Sequence, residues 1–145
     1  MGILFGGDTA NANNLDDYEE GTYSFTGTAV GTVSGGGNYV KIGRVVHING
    51  LATNFSDSSS GSGITLQGLP FTAKDGTFRI YAELSRFSQR SGCSGVSCDT
   101  HGNSNDFAVG CSSNSSTTPL ALRYQDAHHS SAMSISWSGT YTTDS

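Results

Sequence analysis

Three groups of side chains in this 145-residue sequence could do chemistry. Cys93, Cys98 and His101 stand at C-x4-C-x2-H spacing, with Cys111 further along. Three thiolates and an imidazole can form a tetrahedral zinc set. The first gap is wide for a zinc finger, however, and the surrounding Ser/Gly-rich segment holds few groups that could orient the ligands. Unpaired thiols, or a single Cys93–Cys98 disulfide, are simpler readings, and an odd cysteine argues against a fully oxidised framework. Zinc on Cys93, Cys98, His101 and Cys111 stays a minor alternative, and no cofactor is expected.

The second group is acidic. Asp16, Asp17, Glu19 and Glu20 are four of the twelve acids, and they fall within five residues. Such a run is either a solvated connector anchored by Tyr18, a contact surface for basic groups on another subunit, or a cation site. Crowded carboxylates raise one another's proton affinity, so burial would call for a cation or an arginine. Arg44, Arg79, Arg86 and Arg90 are the candidates. The third group is Asp126, His128, His129, Ser130 and Ser131. Neighbours in sequence do not make a triad, whose members meet in space. Only three Glu occur, and no motif marks a glycosidase-like carboxylate pair. The expected reading is therefore not an enzyme, and His128-His129 reads most simply as a surface turn.

The elements that must position these groups are strands. Ser, Thr and Gly make up about 40% of the chain and charged residues only 13%. Gly and Ser oppose helix propagation, and exposed helix faces need charged, unbranched residues. An aromatic content of 10% argues against disorder. The length suits one domain. A net charge of −5 without a Lys/Arg cluster makes nucleic acid an improbable partner. No apolar run reaches the roughly 20 residues that span a bilayer, and the N-terminus lacks the basic region of a signal peptide.

Alternation of apolar and polar residues predicts about eight strands. Ser34–Asn38 reads as a turn, and Tyr39–Ile42 with Val45–Leu51 as a hairpin closed at Gly43-Arg44. Further strands are expected at Tyr23–Val33, Ile64–Gln67, Thr77–Leu84, Phe107–Val109, Leu120–Tyr124 and Met133–Trp137, with Ser88–Asn105 as a long surface loop. Tyr81, Phe87, Phe107, Tyr124 and Trp137 are read as core residues, with sugar stacking as the competing role. Residues 1–14 form an extended arm and residues 15–145 the single domain. Within the arm, Ile3, Leu4 and Phe5 would be costly to leave exposed, which makes it a candidate docking segment, with a frayed terminus as the plainer reading.

Four stretches share a resemblance. Leu15-Asp16-Asp17-Tyr18-Glu19-Glu20-Gly21-Thr22 resembles the LDDYEEGT signature of a β module in many bacteriophage virion proteins. Tyr39-Val40-Lys41-Ile42-Gly43, with Val46 and Gly50, is similar to that module's Y-x-K-I-G hairpin. Gly68-Leu69-Pro70-Phe71-Thr72 and Gly139-Thr140-Tyr141-Thr142-Thr143-Asp144 are similar to its G-L-P-F and G-x-Y-x-T-D elements. Tyr23 stands where the family usually has Trp. The resemblance implies a jelly-roll-like β-sandwich that forms a homotrimer. In that family the module either ends a tail fibre or tailspike, where it recognises host glycans, or decorates the capsid as a cement protein. The short stretch before the signature favours decoration. That reading implies a non-enzymatic protein assembled in the bacterial cytoplasm and located on the virion, with itself and the major capsid protein as partners. Ile3, Leu4, Phe5, Asp16, Asp17, Tyr18, Glu19 and Glu20 would carry the contacts.

Overall fold

A computed structural model describes residues 18–27, 33–53, 55, 61–74, 79–85, 93–100, 104–113, 116–123 and 134–144. The expected arm, Asp16, Asp17, His101 and the Asp126–Ser131 group lie outside them. The described chain is all-β. Its ten strands are β1 (Tyr18–Ser24), β2 (Thr26–Gly27), β3 (Ser34–Ile42), β4 (Val45–Thr53), β5 (Thr65–Gln67), β6 (Arg79–Ser85), β7 (Cys93–Thr100), β8 (Asp106–Ser113), β9 (Ser116–Ala121) and β10 (Ser134–Thr142).

All pairings are antiparallel and fall into two sheets. The first runs β1-β3-β4-β10-β6, and the second runs β7-β8-β5-β2 with β9 also on β8. Strand β6 belongs to both. Its later residues pair with β10, while Arg79 and Ile80 pair with Asp99 and Cys98 of β7. A strand that changes sheets in this way makes a corner. The chain changes sheets a second time at Phe25, between β1 and β2, where the buried phenyl ring enters the core and the amide donates to Gly35 O at 3.3 Å.

The two inner faces meet at Trp137 of β10. Its ring packs edge-on against Phe25, 4.7 Å away between centroids, and against Phe107 of β8 at 5.2 Å. Val46, Ile48, Ala52, Ile135 and Tyr141 continue this core on the first sheet, and Leu66, Val109 and Cys98 on the second. The predicted hairpin is present. Gly43 occupies the first loop position with φ of 57°, in the left-handed region that tight hairpins require and glycine adopts most readily.

Two expectations fail, for one reason. Ser34–Asn38 is the start of β3 and not a turn, and the expected loop Ser88–Asn105 contains β7, flanked by β6 and β8. Neither segment has the large apolar alternation that marks a strand, and at the start of β3 an aromatic from another segment provides the bulk. A Cβ on Gly50 would stand 2.5 Å from the Trp137 ring, and one on Gly35 would meet Phe25 at 2.7 Å. Glycine in these strands makes room for aromatics reaching across from elsewhere.

Candidate functional site

Alternation along β1 splits the acidic run between two faces, since successive strand residues point to opposite sides. Glu19 shares a side of the sheet with Lys41 and Val46 but is itself exposed, whereas Tyr18 and Glu20 lie on the other side beside Ile42 and Val40. The expected solvated connector is thus an edge strand from Tyr18 onward. Phenols are bonded to its acids. Tyr39 donates to Glu19 Oε1 at 2.7 Å, and Tyr18 donates to Glu20 Oε2 at 2.6 Å. Each hydrogen bond holds its phenol proton, so both tyrosines titrate above their ordinary range, with burial and carboxylate charge adding to the shift. Arg44 is exposed in the hairpin turn, where its carbonyl accepts Thr143 N at 2.9 Å.

The four motif segments, the first and last of them 117 positions apart at their nearest ends, converge here. Phe71 of G-L-P-F is the meeting point. Tyr39 packs edge-on against its ring at 5.3 Å, and Lys41 Nζ lies 5.4 Å from the ring centroid, within cation–π range. The Tyr141 hydroxyl accepts from Phe71 N at 3.1 Å and donates to Phe71 O at 3.0 Å. This clasp satisfies both backbone groups of Phe71, which lies outside the strands. Desolvation raises the Tyr141 pKa strongly, although the hydrogen bond accepted from Phe71 N works the other way. Nearby, Lys74 pairs with Asp144 at 3.2 Å and Lys74 N donates to Thr142 O. Tyr23 accepts from Trp137 Nε1 at 2.8 Å and donates to Asn49 O at 3.0 Å.

A second surface escaped the reading of the sequence. On the outward side of β1, β3, β4 and β10, register aligns Tyr18, Ile42, Val45 and Thr142 in one row. Glu20, Val40, His47 and Thr140 form the next, then Thr22, Asn38, Asn49 and Ser138, then Ser24, Gly36, Leu51 and Ser136. The middle rows hold a shallow concavity of about 200 Å³. Within it His47 Nδ1 and Thr140 Oγ1 are 2.8 Å apart, and Asn38 Nδ2 donates to Asn49 Oδ1 at 3.5 Å. The Val45-His47-Asn49-Leu51 alternation of β4 was its visible signal. What could not be seen was which strands would lie beside it.

Cys111 is disulfide-bonded and Cys98 is a fully buried thiol. The alternative Cys93–Cys98 bond is therefore overturned, because Cys98 is reduced, and the reading of all three cysteines as unpaired fails at Cys111. The two cysteines point into a packed interior, not into a surface loop, since β7 and β8 are strands. Among the described residues no group of three or more His, Cys, Asp or Glu could hold a metal. Phe107 and Trp137 are core residues, so their rings are closed to sugar stacking. No helix among the described residues is long and apolar enough to cross a membrane.

No family model, curated protein or solved structure matches this chain. Its function must be argued from its own residues.

Proposed function

We propose that this is a phage virion structural protein, a trimeric jelly-roll module that decorates the capsid and cements it by bridging subunits. The observation that carries the reading is the convergence on Phe71. Tyr18–Gly21, Tyr39–Lys41, Phe71 and Tyr141 come from all four segments of the resemblance and are joined by direct contacts. Independent chance matches would have no reason to meet. The motif residues act as a scaffold: a two-bond clasp, a ring contact and a cation over a ring fix the sheet edge on which the acidic segment lies.

Cementing is a multivalent mechanism. An oligomer that touches several capsid subunits keeps the others bound while one contact reforms, so modest individual contacts add up to slow release. Residues 1–22 are proposed to carry most of the docking, with Ile3, Leu4, Phe5, Asp16, Asp17, Tyr18, Glu19 and Glu20 in contact with the capsid or with a neighbouring copy. The competing role is a glycan-binding tip of a tail fibre.

Copy number in purified virions separates the two. Hundreds of copies on the head support decoration, whereas a few dozen or fewer on the tail would sink it. The docking assignment predicts that a chain lacking residues 1–14 still assembles but no longer saturates heads stripped of the protein. Saturation by the truncated chain would place the contact elsewhere.

A further inference from the structure

We infer that the outward face of the first sheet is where copies of this chain associate. Among the described residues the large exposed hydrophobics are Tyr18, Ile42, Val45 and Leu51, and all four lie on this one face. Tyr18, Ile42 and Val45 form a contiguous row at one end, with Leu51 at the other. Single exposed apolar residues need no explanation, but their restriction to one face does. Between the apolar ends stand Thr22, Asn38, Asn49, Ser138 and Thr140, which can each donate and accept hydrogen bonds.

Charge selects the occupant. On β1, β3, β4 and β10 this face carries one carboxylate, Glu20, and no Lys or Arg. Glu20 is on the edge strand β1, at the margin of the face. A basic partner would be best received by acids distributed over the contact. A chain of net charge −5 meeting its own copy needs the reverse, an uncharged centre with its carboxylate held at the rim. Arg44, exposed at the hairpin tip beside Val45, supplies a cation for a neighbour's margin. Small Ser, Thr and Gly side chains let two sheets approach closely. The inference rests on the oligomeric reading above and adds the surface.

The test is sedimentation velocity on the full chain from about 1 to 100 µM. The wild type is expected to run as an oligomer, three chains under the present reading. Leu51→Asp and Val45→Asp should each raise the dissociation constant at least tenfold, while Gln67→Asp, exposed on the other sheet, leaves the mass unchanged. Should an Asp variant unfold, Leu51→Thr and hydroxyl-radical labelling of Tyr18 serve instead. Labelling should slow several-fold as concentration rises. A wild type that stays monomeric throughout overturns the inference, as does an oligomer that both Asp variants leave intact. A monomer whose Leu51→Asp variant fails to bind capsids also overturns it, by assigning the face to the capsid. Virion copy number is read separately, so a misplaced interface is distinguishable from a wrong function.

Discussion

The two faces of the first sheet are built from the same strands and have opposite characters. Along β4, Val46, Ile48 and Ala52 are buried, while their neighbours Val45, His47, Asn49 and Leu51 are exposed. The inner face alternates rings with glycine, Trp137 over Gly50 and Tyr39 over Gly21. The outer face has few large side chains and hardly any charge. Inside, each side chain is held by contacts from several strands, so a change of one methyl is felt. Outside, the described residues make only a few hydrogen bonds among themselves, such as His47 with Thr140 and Asn38 with Asn49.

This contrast can be broken most directly at Trp137. Trp137→Ala removes the ring between the sheets and leaves the Tyr23 hydroxyl without its indole donor, which should cost about 3–5 kcal/mol in urea unfolding. A loss near 1 kcal/mol would mean that the sheets do not meet at this ring. Gly50→Ala tests the same contact from the other strand. Its methyl cannot fit unless the ring shifts, and overpacking of this kind costs roughly 1–3 kcal/mol. A neutral result there would show that the ring is free to move.

At the motif cluster, Tyr141→Phe keeps the ring and deletes both hydrogen bonds to Phe71. An expected loss of about 1–3 kcal/mol, measured by thermal or urea unfolding, would confirm the clasp. Alkaline pH sharpens the comparison further. Burial pushes Tyr23 up to about 12, against the opposing donation from Trp137, and raises Tyr141 as well. The fold thus prefers neutral phenols. Their contribution is complete below the ordinary tyrosine pKa of about 10 and is lost as pH climbs from there toward about 12. The urea midpoint should be flat up to about pH 10 and then fall. Tyr23→Phe should start lower yet show a shallower alkaline decline.

The smallest effect belongs to the outer face. Thr140→Val removes the hydroxyl next to His47 on an exposed row and should change the stability of dilute protein by no more than about 0.5 kcal/mol. A loss of several kcal/mol would show that the outer face is as strongly determined as the inner one.

Composition was enough to establish an all-β chain, because abundant Gly, Ser and Thr with few charges cannot sustain helices. Local alternation located the hairpin at Gly43-Arg44 and most strands with large apolar residues. It missed β7 and the start of β3, strands of Ser and Gly without large apolar alternation, and at Gly35 the bulk comes from Phe25 of another segment. Motif order in the sequence suggested a family, but not that Phe71 and Tyr141, 70 positions apart, hold each other at both backbone groups. The acidic run was conspicuous as charge, yet its division, with Glu19 on one side of the sheet and Glu20 on the other, follows from strand geometry. The four-row outer face was invisible, since its members come from β1, β3, β4 and β10. Short-range preferences are written residue by residue along the chain, whereas a face exists only after distant strands have been brought into register.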